Sequence, residues 1–245
     1  MNSMLKSFIF LSALFFNQNT HALVSTPDNH KGACEEVKFN TLYHYNDQIT
    51  GVVNLDIRDP DFDIQELSLQ AGGRYSLTDN FKLGVFTGIL QHHKHNDDWI
   101  KEAGVWQWSN ANHKTETIFF PEISYRNLLG QFVYEIRLKY VMSNLFHEKD
   151  FFVKASLIDP LNPKWTLIIS DEQKISPKNN EKKFTENWLY LIALYRLNPS
   201  MMLGPQIGHS TQIWTTSEVH KALRSDYYES HDNSFNAGLV FNLYL

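Results

Sequence analysis

The chain has 245 residues with 22 Lys and Arg against 27 Asp and Glu, and a single cysteine. The net charge of -5 excludes the basic surface that a nucleic-acid partner requires, and one cysteine excludes an intramolecular disulfide framework. The mean hydropathy of -0.37, with no apolar run near the ~20 residues of a transmembrane helix, excludes a helical membrane bundle.

Lys6 supplies a short positive segment, and Phe8 to Phe16 form an apolar stretch of about nine residues. Thr20-His21-Ala22 then offers a small-x-small cleavage site. This layout predicts a secretory signal peptide over 1–22 and a mature chain beginning near Leu23. Cys34 lies well past the apolar stretch and follows Lys31-Gly32-Ala33, so it lacks the setting of a lipid-modified cysteine. Residues 23–48, with strand-like Phe39–Tyr45, read as a periplasmic lead-in or half of a hairpin.

From residue 49 onward the chain is dominated by period-two alternation, the signature of strands with two unlike faces. Strands are expected near 49–57, 63–76, 80–92, 115–126, 131–142, 150–158, 163–171, 185–197, 200–211 and 233–245. In one, Leu67, Leu69, Ala71, Gly73 and Tyr75 oppose Ser68, Gln70, Gly72 and Arg74. In the clearest, Phe132, Tyr134, Ile136, Leu138 and Tyr140 oppose Glu135, Arg137 and Lys139. Thr78-Asp79-Asn80, Asn127-Leu128-Leu129-Gly130 and Asn198-Pro199-Ser200 are tight-turn sequences. The stretches 93–114, 143–149, 172–184 and 212–232 are longer and polar, with room in 93–114 for a hairpin of its own. Pro121 and Pro205 fall inside strands, where each removes a ladder donor, and bulges are expected there.

In the last segment Phe235, Ala237, Leu239, Phe241, Leu243 and Leu245 share one face, and Asn236, Gly238, Val240, Asn242 and Tyr244 the other. Gly238, Phe241, Leu243 and Leu245 resemble the C-terminal assembly signal of bacterial outer-membrane β-barrels, with Leu in place of the usual terminal Phe. The resemblance implies an all-β fold: a transmembrane antiparallel up-and-down β-barrel over 49–245, of about 10 strands with 12 as the alternative. It further implies a place in the outer membrane of a Gram-negative bacterium, with outer-membrane lipid and the barrel-assembly machinery as partners. It singles out no characterised subfamily.

With Leu245 on the periplasmic side, parity puts every tight turn in the periplasm and aims alternate residues inward. Arg74, Lys82, Arg126, Arg137, Lys139, Lys154 and Arg196 then face the lumen, with the acids Asp56, Glu122 and Glu135. A basic-biased lumen suits a narrow pore and a small anionic solute. A barrel this narrow also has little space beyond its own side chains, which favours an internal ion-pair network. Gly208-His209-Ser210-Thr211 resembles the His-x-Ser arrangement of outer-membrane lipid A deacylases and phospholipases, in which a His base and a Ser nucleophile share one lipid-facing strand face. Here Thr211, not Ser210, shares a face with His209, so an alternative function as a lipid-modifying hydrolase rests on His209 and Thr211. His92, His93 and His95 are a His-rich loop tip, and no metal or cofactor is assigned. The tract from Asp171 to Lys183 reads as a solvated loop.

Overall fold

In a strand, successive side chains point to opposite faces, so the alternation above divides the chain into an inner and an outer set. The computed structural model describes residues 31–60, 66–94, 99–102, 105–108, 112–143, 149–176, 183–215 and 229–245. The leader expected over 1–22 lies outside them. The first strands are β1 (Lys31–His44), β2 (Ile49–Pro60), β3 (Glu66–Ser76) and β4 (Phe81–Lys94). There follow β5 (Trp99–Glu102), β6 (Val105–Trp108), β7 (Asn112–Leu129), β8 (Phe132–Ser143) and β9 (Lys149–Asp159). The chain continues through β10 (Trp165–Ser176), β11 (Lys183–Asn198), β12 (Met201–Thr215) and β13 (Glu229–Tyr244).

Eleven of these strands close into one barrel, and β5 pairs with β6 as a hairpin in the connection between β4 and β7. Neighbours in the barrel are antiparallel except β1 and β13, which run parallel from Lys31 beside Asn233 to Leu42 beside Tyr244. The fold is therefore the expected all-β, mostly up-and-down barrel, with eleven strands in place of ten or twelve. The difference lies in β1. Residues 31–44 are not a lead-in but the closing strand, bonded to β2 on one side and β13 on the other. A ring of antiparallel strands alone needs an even count, so the eleventh strand creates one parallel seam. Without it, β2 and β13 would each present an open edge.

The short connections gather at one end, and four of the five are held by a side-chain acceptor that the sequence supplies. Asn46 Oδ1 accepts from the backbone N–H of Gln48 and Ile49 at 2.9 and 2.8 Å. Thr78 Oγ1 accepts from Phe81 at 3.0 Å, and Asn162 Oδ1 from Lys164 and Trp165 at 2.9 and 3.0 Å. Asn198 Oδ1 accepts from Ser200 at 2.9 Å. Short polar side chains of this kind replace ladder bonds where the chain reverses. Gly130, at φ 64°, takes the left-handed position in the turn between β7 and β8.

Neither proline is resolved by a bulge. Pro121 pairs with Val85 on one side, and toward β8 the bonded pairs pass from Phe119–Met142 to Glu122–Lys139 without a change of register. Pro205 likewise pairs with Leu239, with a gap in the ladder to β11 between Ile192–Gln206 and Tyr195–Leu203. A residue without an N–H opens one rung; it need not displace the strand. The register shifts instead at Lys174/Ile175 and Arg196/Asn198.

The inner face carries two apolar clusters. Val52, Phe86, Ile118 and Phe120 form one, with the Phe86 and Phe120 rings stacked at 5.0 Å, and Leu194, Met202 and Val240 form the other. The outer face is apolar over most of its area, with Val53, Leu69, Val85, Ile89, Ile123, Ile136, Leu191, Ile207 and Leu239 all exposed. Near the short turns it bears a row of rings, among them Phe81 and Tyr125 at 4.6 Å and Trp165 and Tyr195 at 5.0 Å.

At the seam, Gly238 lies so close to β1 that a Cβ there would stand 1.8 Å from the Glu36 carbonyl oxygen. Gly238→Val is expected to force the seam apart and to cost at least about 2 kcal/mol. The urea midpoint of the refolded variant measures this, and a midpoint equal to that of wild type would contradict the close approach.

Candidate functional site

Two regions hold the chemistry-bearing side chains: the barrel interior, and a polar row on the outer face of β10 to β13.

In the interior, alternation brings opposite charges from different strands to the same level. Glu122 accepts from Arg74 Nε at 2.7 Å, and Arg137 Nε lies 3.6 Å from its other oxygen. Arg137 also donates to Glu135, which pairs with Arg126 at 3.1 Å. Lys139 and Lys154 share Glu172 at 3.2 and 3.0 Å. Lys174 bridges Asp150 and Glu186 at 3.3 and 3.2 Å. Around Glu36 stand Arg58 at 2.6 Å, Lys38 at 2.9 Å and the Gln206 amide, with Arg58 reaching on to Asp56 at 3.2 Å. Cationic groups also lie over inward rings: Lys38 Nζ 4.1 Å from the Tyr190 centroid, and Arg74 5.3 Å from Phe86.

Of the lumen residues expected from sequence, Asp56, Arg74, Glu122, Arg126, Glu135, Arg137, Lys139 and Lys154 lie in these networks. Arg126 and Arg196 are exposed at the short-turn end, and Lys82 is half-buried there. Glu36, Glu116, Asp150, Glu172 and Glu186 also face inward, bringing the interior close to charge balance where a basic excess was expected. The Asp171–Ser176 segment is thus strand, not solvated loop, because its inward Glu172 and Lys174 find partners of opposite sign. Part of the interior is tightly packed. Glu36 and Gln206 are 1% exposed, Phe86 2% and Glu122 5%. The Arg58, Lys154, Arg137 and Lys174 side chains keep 27%, 25%, 23% and 20% exposure.

The outer face holds the second region. Register carries Gln173 beside Asn187, Asn187 beside Thr211, and Thr211 beside Asn233. Asp171 stands one outward position from Gln173, and His209 one from Thr211. Asn187 Nδ2 donates to Asp171 Oδ1 at 2.6 Å, and Gln173 Nε2 to Asp171 Oδ2 at 3.2 Å. Thr211 Oγ1 donates to Asn233 Oδ1 at 2.9 Å. Thr211 and exposed His209 therefore share the outward face, as their spacing required, but the Thr211 proton goes to Asn233 and not to the imidazole. Asp171, Gln173, Asn187 and Asn233 escaped sequence reading. A carboxylate at position 171, continuing the outward series Leu167, Ile169, was the available signal.

Gly238 faces inward at the seam. Phe241 faces outward and stacks on Phe39 at 4.8 Å. Leu243 pairs with Met201 and Thr41, and the Leu245 backbone bonds Leu42 and His44 at 2.8 and 2.9 Å. His92 and His93 pair with Lys114 and His113 at the end of β4, but their side chains, and His95 entirely, lie outside the described residues. Among the described residues no three His, Cys, Asp or Glu side chains come together as metal ligands.

These features define a closed β-barrel protein with an ion-paired interior. No protein-family model matches the chain, and no curated protein matches it.

Removing one member of a buried network leaves the others uncompensated, at a cost of about 3–5 kcal/mol. Glu122→Leu is expected to lose stability on that scale. Paired with Arg74→Met it should show a coupling energy above about 1 kcal/mol in a double-mutant unfolding cycle. Additive effects would mean that the pair contributes nothing.

Proposed function

We propose that the chain is an integral outer-membrane β-barrel whose interior is a sealed, ion-paired core and not a conducting pore. One observation carries this: the barrel is inverted relative to a water-soluble protein, with carboxylates and guanidinium groups inside and a continuous belt of exposed large apolar side chains outside. Soluble monomers avoid contiguous apolar surface on this scale. From Phe81 to Ile89 on β4 the belt rises by about 20 Å for strands tilted by about 40°, near the height of the apolar band of membrane barrels. The aromatic row at the short-turn end suits an interfacial girdle, and additional rings (Phe119, Tyr140, Phe151 and Phe235) stand toward the other end.

The signal-peptide-like sequence expected over 1–22 and the Gly238–Leu245 pattern support export followed by insertion through the barrel-assembly machinery. In that reading the short turns face the periplasm. The buried inner layers oppose passage of a small anionic solute, since an ion would have to displace charge pairs that are already satisfied. A structural role in the membrane follows from that sealed core.

Fractionation and gel mobility test the location. The mature protein is expected in the outer-membrane fraction, with heat-modifiable migration. Recovery from the soluble periplasm without such migration would overturn the assignment. Refolded protein in a planar bilayer is expected to give no steady ion current, and a reproducible conductance would replace the sealed core with a pore.

Lipid hydrolysis is the second reading, favoured by the shared outward face of His209 and Thr211. It needs a His base that takes the nucleophile's proton, and the Thr211–Asn233 bond diverts that proton. His209→Ala is expected to leave lipid A and phospholipid profiles unchanged; accumulation of an intact acylated substrate in the variant would restore the hydrolase.

A further inference from the structure

The positive charge expected of the lumen is concentrated toward one end. Near the short turns Arg74, Arg126 and Arg137 share two carboxylates, Glu122 and Glu135. Lys82, the first inward residue of β4, is a further cation there, and among the described residues its side chain makes no ion pair or hydrogen bond. The charges that act on it most are Arg126 and Arg74, both of its own sign, with Glu135 behind them. Four cations against two acids leave this end with two positive charges in excess. The inward acids Glu116, Asp150 and Glu186 stand toward the far ends of β7, β9 and β11.

The register sets a hydroxyl on each side of this lysine. Lys82 pairs with Ser76 on β3 and with Ser124 on β7. Neighbours across a ladder stand ~5 Å apart at Cβ, so these three side chains can donate to the atoms of one small group. Arg126, one inward position nearer its turn than Ser124, is 51% exposed and gives its Nε to Glu135 at 3.1 Å. Its remaining N–H groups are left as donors. An ammonium and a guanidinium only donate, and a serine hydroxyl can donate as well. A group that carries acceptors alone and about two negative charges complements this set, and a phosphate near neutral pH is such a group. A carboxylate brings one charge and two oxygens, and so meets half of it. Lipid has no route to the inward face of a closed ring, which restricts the ligand to a water-soluble one.

We propose that Lys82, Ser76, Ser124 and Arg126 form a phosphate-binding site in the mouth of the barrel at the short-turn end. The dianion of phosphate or of a phosphate monoester lies against the Lys82 ammonium, accepts from both hydroxyls and meets the open side of the Arg126 guanidinium. It neutralises the local excess of charge without entering the ion-paired layers beyond, so the site binds and does not conduct. The donor set stands on the barrel alone; only its exposure to the periplasm rests on the membrane reading above.

The full mature protein, refolded in a nonionic detergent at low salt, is titrated with inorganic phosphate by isothermal calorimetry. Saturable one-to-one binding is expected, with acetate bound at least about tenfold more weakly. Lys82→Met and Lys82→Gln are each expected to lower the phosphate affinity at least about tenfold. Lys82 leaves no partner stranded when it is replaced, so both variants are expected to keep heat-modifiable mobility. Lys164→Met, which removes an exposed lysine from the β9–β10 turn, is expected to leave the affinity unchanged. Tighter binding of glycerol 3-phosphate than of inorganic phosphate identifies an ester as the source, and the reverse order identifies free phosphate; either supports the site. No saturable binding by folded wild type, equal affinity for acetate, Lys82 variants that match wild type, or equal weakening by Lys164→Met would overturn it. Fractionation of the protein is read separately, so a failed phosphate site and a failed membrane assignment give different results.

Discussion

Closure of the sheet is the constraint on which the rest of the molecule depends. Each strand needs a partner on both sides, and β1 gives the last two edges theirs by pairing with β2 and β13. Once the ring is shut, the inside and outside of every strand are assigned together, because a one-residue slip at any ladder would exchange the two faces of a whole strand. The seam is held by the same close fit that admits Gly238 against the Glu36 carbonyl, and Glu36 is itself the hub of an interior charge network. Backbone closure and interior electrostatics therefore meet at one place.

The interior is organised by compensation more than by apolar packing. Two apolar clusters fill part of it, and beside them stand carboxylates, four of which are each shared between two cations. Desolvating such groups is expensive, and their attraction offsets the cost only when geometry and extra hydrogen bonds are good. Here Glu36, Glu122, Glu135 and Glu172 each bridge more than one donor, and neighbouring rings lie under several of the cations. The result is an interior cross-linked by ion pairs between strands.

Much of this was legible in the sequence where the two faces differ in polarity. Segments such as Phe132–Tyr140 and Leu67–Tyr75 announce both their strand state and their facing, and the tight turns announce the end at which they gather. Legibility fails where both faces are polar. Beyond Ile169 the chain reads Ser170, Asp171, Glu172, Gln173, Lys174, with no contrast for a period to act on, although one set faces ion partners and the other the outer surface. It fails again at β1, whose Glu35-Glu36 pair interrupts the alternation. The row Asn187–Thr211–Asn233 depends on the register of three strands, a long-range quantity that no local pattern encodes.

The Glu36 network shows what such an interior imposes on the chain over time. Glu36 is tied to Arg58, 22 positions away, and to Gln206, 170 positions away. Replacing any one of them alone leaves a buried polar group or charge without its partner, whereas exchanging one apolar side chain for another on the outer face changes little. The two faces therefore accept substitutions under different rules. The exterior drifts position by position within the apolar alphabet, and the interior changes only in matched sets drawn from distant parts of the chain. Covariation between residue 36 and residues 58 and 206, with free variation at the intervening outward sites, is the record this fold would leave in its descendants.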